Sequence, residues 1–228
     1  MANGETTRIR ILATTKMYNG ICVAGLNSGN KWIRPVSRDG LNFTPHSLSS
    51  SGNVVVEPYN EIEFRGHKRL NNFPQSEDVE VYSQPPKFIR SLGDGELRTL
   101  LDRIDEHDSV ARHSNDLEGW LISENRSLVL TRVDKILGAY RNTFNERRQR
   151  RIRFQVGGET LTLPCTDLRW RRITRGEQDS AACEQLRSAD HVYFALGLPR
   201  KWEGHYWPMV IGVHAFPRMV IKVDYDNL

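Results

Sequence analysis

Arg151-Ile152-Arg153-Phe154-Gln155-Val156-Gly157-Gly158 is the stretch that decides the fold class. Its first six residues alternate strictly between polar and apolar, the period-2 signature of a strand with one face buried. Two glycines follow, and residues 160–163 (Thr-Leu-Thr-Leu) alternate again. Two alternating runs around a Gly-Gly pair predict a β-hairpin, because glycine reaches the positive φ values of a tight turn without steric cost.

Working outward, more short strands appear. Arg8 to Thr14 alternates and then runs apolar, and Asn19-Gly20 signals a turn. Ile21 to Leu26 is apolar on both faces, so it reads as a central strand. Asn27-Ser28-Gly29-Asn30 has hairpin chemistry, and Lys31 to Arg34 resumes as a strand that is expected to stop at Pro35. Residues 37–52 read as a loop, Val54 to Phe64 as strand weakened by Pro58, and Ser127 to Leu137, His191 to Leu198, Tyr206 to Ala215 and Met219 to Val223 as further strands. Leu97, Leu100, Leu101 and Ile104 are spaced for a helix over 95–106, with Asp94 as its N-cap. A second short helix is expected over 178–187, while the polar residues 107–119 read as a join. Many strands, few helices and no strand–helix–strand alternation exclude a doubly wound parallel sheet and favour small antiparallel barrels. Each half is mostly strand with one helix, a faint two-fold echo.

The chain has 228 residues, enough to bury a core without metal or disulfide support. Its longest apolar runs are too short to span a bilayer, and the N-terminal residues lack the apolar segment of a signal peptide, so a cytoplasmic, non-membrane protein is expected. Cys22, Cys165 and Cys183 are widely spaced, and the seven histidines form no ligand pattern. No metal site and no cofactor are therefore expected. Net charge is +4, unevenly spread: residues 1–120 carry 14 Lys+Arg against 16 Asp+Glu, and residues 121–228 carry 18 against 12. A basic half offers an electrostatic footprint for phosphates.

The candidate binding residues lie where arginine and aromatic residues interleave. One group is Lys31, Trp32 and Arg34. A second is Arg147, Arg148, Arg150, Arg151 and Arg153, five arginines within seven residues. A third is Arg169, Trp170, Arg171 and Arg172, and a fourth is the loop with Arg200, Lys201 and Trp202. The guanidinium fork matches phosphate, and an indole stacks a base for about 1–3 kcal/mol. Trp170 between arginines is the most suggestive, since Arg169, Arg171 and Arg172 cannot all point inward. The competing account of Trp32 is a core side chain, and that of the crowded arginines is a charged, aggregation-proof edge. No P-loop, dinucleotide-binding or nuclease motif is present, and Cys22 in its apolar strand reads as buried and inert.

The order Gly20-Ile21-Cys22-Val23-Ala24-Gly25, Lys31-Trp32-Ile33-Arg34-Pro35-Val36, Arg151 to Phe154, Gly158, Leu163-Pro164-Cys165-Thr166-Asp167, Trp170, Phe194 to Leu198, Gly204, Tyr206-Trp207 and Val210 resembles the prokaryotic dual OB-containing domain family. The resemblance implies two OB-like barrels packed as one unit, here placed at residues 1–118, with a helical insertion, and 119–228. It also implies a nucleic-acid or nucleotide recognition module serving prokaryotic defence, with no catalytic residues to transfer. Gln75 to Ser114 matches the family least. The leading expectation is a non-catalytic module that binds single-stranded nucleic acid or a nucleotide. Two alternatives are a small nucleic-acid-processing enzyme using Asp39, His46 or His205 near a cleft, and an accessory subunit that pairs with a protein partner through exposed strand edges.

Overall fold

The computed structural model describes residues 6–17, 20–37, 43–44, 46–50, 53–65, 67–81, 86–144, 147–173, 179–219 and 221. The chain is mainly β and forms two OB-like barrels. In the first, β1 (Thr6–Met17) pairs antiparallel with β2 (Gly20–Leu26), and β2 with β3 (Trp32–Ser37). A 3-10 turn (His46–Leu48) and a two-stranded ladder, β4 (Ser49–Ser50) with β5 (Asn53–Val54), occupy the long connection that follows. β6 (Asn60–Arg65) returns to pair with β1, and β7 (His67–Arg69) continues along the chain to pair with β8 (Asp78–Val81). β8 closes the ring by running parallel to β3. β9 (Lys87–Ser91) adds an outer strand beside β6.

The second barrel repeats this ring. Its bent first strand is β10 (Leu128–Arg132) followed by β11 (Lys135–Phe144), broken at Val133-Asp134. β11 pairs with β12 (Arg147–Val156), and β12 with β13 (Glu159–Pro164). The expected Gly157-Gly158 turn joins these last two, at φ 59° and 83°. β14 (His191–Gly197) pairs with β10 and with β15 (Met209–Phe216). A parallel bridge from Cys165 to Val210 links the third and fifth strands, as β3 and β8 are linked in the first barrel. Among the described residues no helix is long and apolar enough to cross a membrane.

Among the described residues five α-helices complete the fold: α1 (Asp94–Ile104), α2 (His107–Arg112), α3 (Leu117–Ser123), α4 (Leu168–Ile173) and α5 (Asp179–Arg187). Three of them correct the sequence expectation. Residues 107–119 are helical rather than a join, because Val110 of α2 and Leu117, Trp120 and Leu121 of α3 are buried in the second barrel's core. Residue 118 thus lies inside α3. The Trp170 segment, to which the sequence pattern assigns no element, is a helix, because Asp167 Oδ1 accepts the Trp170 backbone N–H at 2.8 Å and caps its first turn. Asp94 is the first helical residue rather than the cap; Gly93 takes the cap position, and Asp94 pairs with Arg218. β3 continues through Pro35, because β3 has already passed from β2 to β8 there, and the missing N–H falls on the side that no longer pairs. Of the expected strand at 219–223, residues 220, 222 and 223 lie outside the described residues.

Each barrel fills its own interior: Ile9, Ile11, Val23, Ile62, Phe64 and Val79 in the first, and Ile152, Phe154, Phe194 and Val213 in the second. A third cluster lies between them. Leu12, Ala13, Ala24 and Leu26 from the outer face of β1 and β2 meet Leu128, Leu130, Ala195 and Ile211 from β10, β14 and β15. A bulge between Ile11 and Ala13 shifts the side-chain parity of β1, so Ala13 joins Leu12 on this face. β15 comes close to β1 at Gly212, where a Cβ would stand 2.9 Å from the Leu12 carbonyl oxygen. A polar clamp reinforces the layer: the buried Glu77 carboxylate accepts the backbone N–H groups of Ser127 at 2.6 Å and Leu128 at 3.0 Å.

Candidate nucleic-acid interface

The outer face of β11, β12 and β13 is set by the alternation in β12. Ile152, Phe154 and Val156 are fully buried, which turns Arg151, Arg153 and Gln155 outward. Register then selects their neighbours. Tyr140 of β11 lies directly opposite Arg151, Gly138 opposite Arg153, and Lys135 opposite Gln155. On the other flank Thr162 faces Arg153. Directly opposed residues of an antiparallel pair project to the same side, so Tyr140 and the two arginines share one surface. Tyr140 is 43% exposed. Arg151 is half-buried, held by donation from Nη2 to the Thr162 carbonyl at 2.7 Å and from Nη1 to Gln149 Oε1 at 3.3 Å. Arg153 is exposed, and Gly138 leaves open space beside it. Further along the ladder Arg141 opposes Arg150, and alternation turns this pair to the other side of the sheet. Arg150 also reaches α4, donating Nη1 to the Arg171 carbonyl at 2.7 Å. The surface therefore combines an exposed ring with several fixed cations.

The loop between β14 and β15 forms a second prominent feature. Trp202 and His205 exchange backbone hydrogen bonds at 2.8 and 3.0 Å around a two-residue turn, Glu203 at φ 50° and Gly204 at φ 89°. Glu118 of α3 anchors the loop by accepting the Tyr206 N–H at 2.8 Å. Trp202 and Trp207 are 45% and 44% exposed, and Arg200 and Lys201 stand exposed beside them. Loops between the fourth and fifth strands flank the ligand face of OB barrels.

Other sequence candidates take different places. Trp170 is 1% exposed, buried in the second barrel's core by the turn of α4, and so cannot stack a base. Arg169 is also buried; its Nη2 donates to the Val213 carbonyl at 2.7 Å, and its guanidinium lies 4.6 Å from the Tyr59 ring centre. Of that group Arg172 is exposed and Arg171 half-buried. Trp32 packs against the layer between the barrels, leaving only Lys31 of its group exposed. Arg34 is buried against Asp78. Arg147 and Arg148 lie on β12, but their side chains fall outside the described residues, as do Asp39 and the side chain of His46. His205 Nδ1 is 3.6 Å from Glu118 Oε2. Cys22 lines a cleft, and burial pushes its thiol pKa up. Sequence reasoning missed Tyr140, whose placement depends on cross-strand register; an aromatic residue a few positions before the arginine-rich run was the available signal.

Two five-strand OB-like units, each with a parallel seam between its third and fifth strands, agree with the family match. The chain belongs to the dual OB-containing domain family, whose pattern matches residues 7–213. No curated protein sequence matches it. Similar solved structures include an Ifi202 HINa domain in complex with 20-bp double-stranded DNA, at 9% identity, 90% coverage of each chain and a TM-score of 0.36. A replication protein A heterotrimer bound to single-stranded DNA has 9% identity, covers 86% of this chain and 44% of its own, and has a TM-score of 0.38. A murine DNA-binding protein bound with double-stranded DNA has 10% identity, coverage of 96% and 100%, and a TM-score of 0.34.

Proposed function

We propose that this protein is a non-catalytic recognition module that holds single-stranded nucleic acid across the outer face of its second barrel. The observation that carries the proposal is the register that sets exposed Tyr140 against Arg151, with Arg153 and Lys135 on the same face. The ring offers a stacking platform that tolerates any base, and the guanidiniums and ammonium take the backbone. Lys201 and Trp202 form a second contact on the loop between the fourth and fifth strands. A place within a prokaryotic defence system accords with the family. Fluorescence anisotropy of labelled DNA and RNA oligonucleotides against salt tests the assignment. Four to five phosphate contacts give a log–log salt slope of about −3. Binding indifferent to salt, or none at low salt, overturns it.

A further inference from the structure

The cleft between the barrels holds an ion pair that the outer sheet face does not use. Arg34 on β3 and Asp78 on β8 are register partners across the parallel seam. Arg34 Nε donates to Asp78 Oδ1 at 2.5 Å, with side-chain exposures of 11% and 5%. Asn72 Nδ2 donates to Asp78 Oδ2 at 2.9 Å, and among the described residues no second hydrogen bond holds the guanidinium. Both members of the pair line the cleft. Its walls are apolar: Val36 and Phe43 from the first barrel, Leu198, Met209 and Ile211 from the second. Cys22 also lines it, and Arg200 lines it while remaining exposed.

A buried pair of this kind is a weak source of stability, since apolar residues of similar volume commonly do as well. An apolar cleft with a few convergent polar groups is instead the usual form of a small-molecule site. The pair is neutral overall, which disfavours a free anion inside and suits a neutral heterocycle that offers donors and an acceptor along one edge. Guanine presents two adjacent N–H donors beside a carbonyl on its pairing edge. Adenine, cytosine and uracil each have only one donor position there.

We propose that this cleft is a mononucleotide site that receives a guanine base: Asp78 accepts its paired N–H groups, Arg34 donates to its carbonyl, the apolar walls enclose the ring and Arg200 meets the phosphate. The site is separate from the outer face of β11–β13, and its failure would leave that reading intact.

Calorimetric titration of the full chain with GMP, AMP, UMP and inorganic phosphate tests it. GMP binds, and AMP and UMP bind at least about tenfold more weakly, the discrimination one well-matched base edge supplies. Phosphate gives no comparable affinity. Arg200→Ala weakens GMP by roughly tenfold, the loss of one charge-assisted contact. Arg34→Lys keeps the charge but loses the fork and weakens GMP as well. Because Arg34 is buried, the site is also located in the unmodified protein: saturating GMP shifts the backbone NMR signals of Val36, Phe43 and Leu198 and leaves those of Tyr140 and Arg153 in place. Absence of GMP binding, equal affinity for AMP or phosphate, or GMP-induced NMR shifts that miss Val36, Phe43 and Leu198 overturn the proposal. Excess GMP leaves the anisotropy of the oligonucleotide complex unchanged; displacement would put both ligands on the outer face and overturn the separate site.

Discussion

The two barrels share a strand ring yet use the outer face of their first three strands in opposite ways. In the first barrel that face is apolar, Leu12, Ala13, Ala24 and Leu26, and is covered by β10, β14 and β15 of the second. In the second barrel the matching face carries Lys135, Tyr140, Arg151 and Arg153, and none of these is buried. One barrel has this face packed against its neighbour, and the other leaves it exposed. Trp32 belongs to the barrel whose face is covered, and it packs half-buried against that layer. The contrast also accords with the larger share of arginine in the second half, 15 in residues 121–228 against 10 in residues 1–120.

The largest test of the contrast is Trp170→Ala. Removing a fully buried indole costs about 3–5 kcal/mol of stability, measured by urea denaturation. A stability change near zero with lost oligonucleotide binding would move Trp170 from the core to the ligand face. Next is Glu77→Gln in the clamp that joins the barrels. Weakening charge-assisted bonds to two backbone N–H groups costs about 1.5–3 kcal/mol in the same measurement. An unchanged unfolding midpoint would show that the apolar layer alone holds the barrels together.

On the exposed side, Tyr140→Ala and Arg153→Ala each weaken oligonucleotide binding by about 1–3 kcal/mol. Both leave stability within about 0.5 kcal/mol, as expected for surface sites. The anisotropy and denaturation curves of the same variants check this together, and a stability loss without a binding loss would make the second face structural as well.

The smallest effect is pH dependence at His214, on β15. Burial and the nearby Arg169 hold its pKa well below the ordinary imidazole value, so it is neutral in the fold. The unfolded chain takes up the proton first. Stability contributed by this group is therefore present above about pH 6.5 and declines as pH falls from there toward the depressed folded value, by at most about 1.4 kcal/mol per pH unit. Thermal melts from pH 7.5 to 5 show the decline, and His214→Asn removes that component.

Much of this was legible in the chain alone. Strict alternation in Arg151 to Val156 determined both the strand and which side chains face outward, because a strand's period is two. Gly157-Gly158 determined the turn, and the double-sided apolar run of Ile21 to Leu26 announced a strand covered on both faces. What covers that strand was decided only by tertiary structure, since the bulge at Ile11–Ala13 and the approach at Gly212 depend on residues some 200 positions apart. The fate of the tryptophans was decided there too. Sequence puts arginines beside Trp170 and Trp32 but cannot say that a capped helix turns one into the core or that a second barrel covers the other. Tyr140 became a candidate only through its pairing with Arg151, because register, unlike alternation, is a property of two strands at once.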